Sequence, residues 1–112
     1  MAGITRQILL DQTLPGPLAT ARVQVRRITI PPGVAAGAHF HNGPVFGSIE
    51  QGSVILQVED GPQTVLNAGD VFYEPAEVQV TRFDATDAGA VFLAYFPLQA
   101  GQDPELRPVA GG

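Results

Sequence analysis

Apolar and polar residues alternate in short runs along this chain, and Gly or Pro ends each run before a helical period can establish itself. What remains is β-branched and period-two, the pattern of half-buried strands separated by turns. The pattern predicts strands over 22–30, 37–41, 45–51, 53–60, 63–66, 70–74, 77–83 and 89–97. In the fourth of these, Val54, Leu56 and Val58 alternate with Ser53, Ile55, Gln57 and Glu59, giving one apolar face. Val91-Phe92-Leu93-Ala94-Tyr95-Phe96 is almost continuously apolar, as a strand buried on both faces should be.

The turns carry their own chemistry. Gln51-Gly52 suits a tight corner, and Asp60-Gly61-Pro62 and Asn67-Ala68-Gly69-Asp70 are strong turn sequences. Within 22–30 the apolar phase slips by one, from Val23 and Val25 to Ile28 and Ile30, which predicts a β-bulge at Arg26-Arg27. Regular short strands with Gly/Pro turns point to an all-β, single-domain closed barrel or sandwich over 1–112, its core spanning about 20–97. From Gln99 onward the chain is small, polar and rich in Pro and Gly, so 98–112 is expected to be a loosely ordered tail or one draped over the barrel.

Composition removes several function classes. There is no cysteine, hence no disulfide, thiolate metal site or cysteine nucleophile. The net charge is −5, lysine is absent, and the only basic spot is Arg22, Arg26 and Arg27, which reads as a solvated strand face. Nucleic acid and anionic membrane are therefore not expected partners. No long apolar run follows Met1-Ala2-Gly3, so neither a signal peptide nor a spanning helix is expected, and the cytoplasm is the default location. Ser48 and Ser53 have no acid–base partner in any recognisable arrangement, and no phosphate loop or dinucleotide fingerprint is present.

The remaining candidate chemistry is concentrated at His39-Phe40-His41, the only two histidines, bracketed by Pro31-Pro32-Gly33 and Asn42-Gly43-Pro44. Residues two apart on a strand share a face, with Cα atoms about 6–7 Å apart. Two imidazoles at that spacing can converge on one cation. The plainer alternative is a pair of partly buried histidines hydrogen-bonded to the backbone or to each other.

With these residues in view, the chain resembles the cupin superfamily, small jelly-roll barrels. Gly33, His39, His41 and Gly52 stand where the first cupin motif places a glycine, a His-x-His pair and a closing glycine. Gly69 and Pro75 match the second motif, within Gly69-Asp70-Val71-Phe72-Tyr73-Glu74-Pro75, and the resemblance covers roughly residues 20–97. It implies a jelly-roll fold, a divalent metal (iron, manganese, nickel or zinc), a small-molecule substrate and a homodimer.

The chain also departs from that pattern. The family's glutamate ligand would fall at 45 or 46, here Val45 and Phe46; a second-motif glycine is Glu77; and the third histidine would fall at Val80 or, with a shorter turn, at Gln79. Strand phase bears on the last choice. An inward Gln79 brings Thr81 and Phe83 inward, whereas an inward Val80 brings Val78 and Arg82, and a buried Arg needs a partner. The expected metal ligands are thus His39, His41 and Gln79, with Val45 and Phe83 as apolar walls of a substrate pocket. A carboxylate would have to come from Glu50, Glu74 or Glu77: Glu50 and Glu77 read as solvated turn residues, and Glu74 as a rim carboxylate at a strand end. Phe46, Phe72 and Tyr95 read as core or interface.

Two functions follow. The first is a metal-dependent small-molecule enzyme, oxygenase-like by resemblance, with isomerase or lyase chemistry as variants. The second is a metal-free barrel with a decayed site that binds an apolar small molecule or a partner chain.

Overall fold

The computed structural model describes residues 3–109 and contains seven strands: β1 Arg22–Ile30, β2 His39–His41, β3 Val45–Val58, β4 Thr64–Asn67, β5 Val71–Glu74, β6 Val80–Leu98 and β7 Leu106–Pro108. All pairings are antiparallel. Two strands are long and bent, and everything else is arranged around them. The first part of β3 (45–52) lies between β5 and the last part of β6 (90–95). The second part of β3 (53–58) lies between β4 and the first part of β6. Beyond β6, β1 extends one half of the sheet, while β2 and β7 extend the other. The sheet thereby folds over on itself into an all-β jelly roll, with its core between the two halves.

The pattern of turns predicted two strands where β3 runs unbroken, and two more where β6 does. The reason lies at the bend. Gly52 has φ +72°, and a Cβ there would sit 1.9 Å from the carbonyl oxygen of Gly89, so the two backbones touch where both strands turn the corner. Residues 86–89 stand opposite Ser53 alone, and Ser53 Oγ shares a 2.6 Å hydrogen bond with Thr86 Oγ1. A glycine corner that would end an isolated strand instead redirects a continuous one.

Two other expectations are corrected. β1 pairs with β6 in unbroken register from Arg22↔Leu98 to Ile30↔Ala90, so there is no bulge at Arg26-Arg27. Ile28 and Ile30 face inward on the strand face they share with Gln24 and the exposed Arg26, whose guanidinium covers the Phe96 ring at 5.2 Å. Val23 and Val25 are exposed on the other face. The apparent phase slip therefore reflects outward-facing valines, not an inserted residue. The segment after Gln99 also contributes a strand, with β7 pairing Phe40↔Arg107 and His41↔Leu106 along β2.

The core is packed around Val54 and Val80, both fully buried. Phe72, Phe83 and Phe92 form a triangle with ring centroids 5.0 to 5.9 Å apart. Each such ring contributes about 1.5–3 kcal/mol on burial. Gly47 makes room for this triangle: a Cβ there would fall 2.1 Å from Phe72 Cζ and 2.8 Å from the Leu93 carbonyl oxygen.

Candidate metal centre

β2 turns both histidines inward. His39 is 3% exposed and His41 9%, while Phe40 between them faces the other way beside the Arg107 guanidinium. The three-residue strand is held from several sides. It pairs with β7 throughout and with β6 at His39↔Val80, and the Glu77 amide donates to the His41 carbonyl at 2.9 Å. The two rings lie edge to face with centroids 4.8 Å apart. His39 Nδ1 donates to the Gly37 carbonyl oxygen at 2.7 Å, which assigns the proton to Nδ1 and turns Nε2 into the barrel.

The third group is Glu74, 4% exposed. β5 alternates strictly, with Phe72 and Glu74 inward and Val71 and Tyr73 outward. Glu74 Oε2 lies 2.6 Å from His41 Nε2 and 3.7 Å from His39 Nε2. One donor atom from each of the three residues falls within 4.8 Å of the others. Despite the short approach, no donor is directed at Glu74 Oε2, and it stays buried and unsatisfied. A buried carboxylate oxygen without a donor is costly. A cation shared with the two imidazoles would satisfy it, so the donor set fits a divalent metal.

The electrostatics of the cluster agree. Burial opposes charge on His39, yet the Glu74 carboxylate facing its Nε2 and the hydrogen bond from Nδ1 to Gly37 together hold its pKa above the ordinary imidazole value. Burial also opposes ionisation of Glu74, but the two histidines outweigh it and hold the carboxyl below its ordinary value. The carboxyl is thus kept as carboxylate in the barrel interior.

Of the expected ligands, His39 and His41 meet, and Gln79 does not join them. Its Nε2 reaches Thr81 Oγ1 at 3.4 Å, and the side chain does not line the cavity. The inward residue is its neighbour Val80. A register shift between Gln57↔Arg82 and Val58↔Val80 leaves Thr81 unopposed, so Val80 and Phe83 both face inward, a combination that strict alternation forbids. Glu74 takes the third place instead of sitting at the rim. The signal was available in its spacing from Phe72: if the ring is core, the carboxylate two residues on shares its face. Glu50 is paired with Arg27 and Glu77 with Arg107, both away from the histidines.

Val45 and Phe83 do line the cavity, which measures about 310 Å³ and also has the exposed Val34 and Leu106 in its lining. Ile28, Ile30, Phe92 and Phe96 complete walls that are almost wholly apolar.

A cupin domain model matches residues 26–94. The chain belongs to the cupin family. Its left-handed Glu77 (φ 57°) stands where that family's second motif has glycine, so this departure changes the residue and keeps the backbone turn. No curated protein matches the sequence. Among solved structures, this cupin is similar to an oxalate oxidase in complex with the substrate analogue glycolate (TM-score 0.65, 20% identity, 78% of this chain and 46% of that one). It is similar to a DMSP lyase from Ruegeria pomeroyi DSS-3 (TM-score 0.67, 20% identity, 80% and 45%). It is also similar to the oxalate decarboxylase of Bacillus subtilis, described with Mn(II) centres (TM-score 0.65, 21% identity, 78% and 24%). The chain spans less than half the length of these proteins, and at such identities the likeness shows a shared fold. Among the described residues, no helix is long and apolar enough to cross a membrane.

Proposed function

We propose that this cupin is a metal-dependent enzyme acting on a small molecule, with one divalent ion held by His39, His41 and Glu74. The observation that carries the reading is the buried, donorless Glu74 Oε2 set against two inward Nε2 atoms. Two histidines and one carboxylate are the donor set of non-haem iron oxygenases, which leaves positions open for substrate and dioxygen. When bound, such an ion polarises a substrate oxygen or supports redox chemistry with dioxygen.

The chain's own residues do the rest. Gly37 orients His39 through Nδ1, and the ladder to β7 keeps His41 beside it. Phe72, Phe83 and Phe92 exclude water from the inner wall and hold a hydrocarbon skeleton. Oxygenase chemistry is the first reaction to test, with lyase and isomerase chemistry next. Two copies joined along the open edge of β1, which among the described residues pairs only with β6, would make the homodimer that the family resemblance suggests.

Metal analysis after exposure to Fe(II), Mn(II), Ni(II) or Zn(II) tests the reading. One ion per chain, lost in His39→Ala, His41→Ala and Glu74→Ala alike, supports it. Absence of binding, with thermal stability indifferent to every ion, leaves the metal-free binding barrel.

A further inference from the structure

The cavity walls restrict what can enter. Among the residues that line it, the polar ones are the three at the metal end and the exposed Thr29. No arginine lines it, and the chain has no lysine. The six arginines are accounted for elsewhere. Arg22, Arg27, Arg82 and Arg107 are paired with Asp103, Glu50, Asp84 and Glu77. Arg6 lies in the exposed segment before β1. Arg26 lies over Phe96, yet it is exposed, bonded to Gln24 and outside the lining.

Charge bookkeeping follows. One carboxylate and two neutral imidazoles beside a divalent ion leave a single net positive charge in an apolar chamber. A ligand carrying one negative charge on an oxygen near that end leaves the chamber neutral, and a neutral carbonyl leaves it unchanged. A dianion leaves it negative, and where its two carboxylates are too far apart to share the ion the second lies against hydrocarbon with no cation to meet it.

Resting on the metal reading above, we propose that the substrate is a small, mainly hydrocarbon oxygen compound, such as a ketone, enol or ester, with at most one negative charge, and that dicarboxylates are excluded. The oxalate enzymes that share the fold would then differ from this protein in substrate charge.

The test uses full-length protein and a series of one skeleton and three charges: adipate, monomethyl adipate and dimethyl adipate, whose carboxyl groups are too far apart to close a small chelate ring on one ion. Calorimetry first measures Mn(II) binding; each probe is then titrated into the Mn(II)-loaded protein. The expected result is that one or both esters bind about tenfold or more tightly than adipate. Val34 lines the cavity, is 45% exposed and is not one of the three ligand residues, so an arginine is tolerated there. Val34→Arg should raise adipate affinity about tenfold at unchanged Mn(II) affinity. Adipate binding as tightly as its esters to wild type overturns the inference while leaving the metal site standing. Failure of wild type to bind Mn(II) or the other divalent ions overturns the metal reading and this inference together.

Discussion

Val45 and Glu74 face one another across the β3–β5 ladder. Val45 occupies one of the two positions at which the cupin motif leads one to expect a carboxylate ligand, and the carboxylate stands on the next strand instead. Both side chains point into the same cavity, so moving the acid from one to the other keeps one negative charge beside the histidines. Glu74→Gln should therefore weaken Mn(II) binding by about 100-fold or more. The exchange variant Val45→Glu/Glu74→Val should recover a large part of the loss. Calorimetric titration of the three proteins decides it, and an exchange variant as weak as Glu74→Gln would show that β5 alone can place the ligand.

Stability should depend on pH in opposite senses with and without metal. His39 has a raised pKa, so its contribution is whole below the ordinary imidazole value of 6.5 and is lost as pH rises through the higher folded-state value. Glu74 has a lowered pKa, so its contribution is whole above 4.5 and is lost as pH falls through the lower folded-state value. Metal-free protein should gain most from the cluster between about 4.5 and 6.5. Metal-loaded protein should gain as pH rises, because protons compete for the imidazoles. Thermal melts across this range with chelator and with Mn(II) should show the two curves diverging above 6.5.

Gly47→Ala should be more damaging than a surface change of one methyl. The new Cβ meets Phe72 Cζ at 2.1 Å and the Leu93 carbonyl oxygen at 2.8 Å, and the carbonyl cannot swing aside. A cost of about 1–3 kcal/mol is expected in denaturant titration. Because Phe72 lines the cavity two residues before Glu74, probe binding should change as well.

Stopping the chain after Gln102 removes β7 and its ladder to β2. The retained contacts of β2 include the single His39↔Val80 pair and the hydrogen bond from Glu77 to His41. Mn(II) affinity should fall about tenfold or more, and amide exchange at Phe40 and Asn42, whose N–H groups point toward the deleted segment, should accelerate toward the unprotected rate. Unchanged exchange there would mean that the turn at 75–78 holds the ligand strand by itself.

Much of the architecture was legible because turn chemistry and period-two burial agree over most of the chain. The bounds of β1 are those its alternation predicts, and β5 differs from its expected span by one residue. Legibility failed where strands bend. Gly52, the extra residues 86–89 and the unopposed Thr81 each change phase or direction without ending a strand, and local pattern cannot tell the two apart. Strict alternation from Phe83 puts Gln79 inward, and the bulge at Thr81 puts Val80 there instead. Glu74 escapes the local pattern for a different reason: a carboxylate before a proline ordinarily belongs to a turn, and only its partners across the fold make burial tolerable. β7 carries little hydrophobic signal because its three residues are exposed and its pairing is to a distant strand.

The partnership of β2 with β7 also sets an order of events during synthesis. His39 and His41 emerge from the ribosome early, but the backbone that flanks them on one side is Leu106–Pro108. Until residue 108 is available, the nascent chain lacks the framework that aims both rings at one point. On the metal reading proposed above, loading would then be a late event in the maturation of this protein, following the folding of the chain around its chamber.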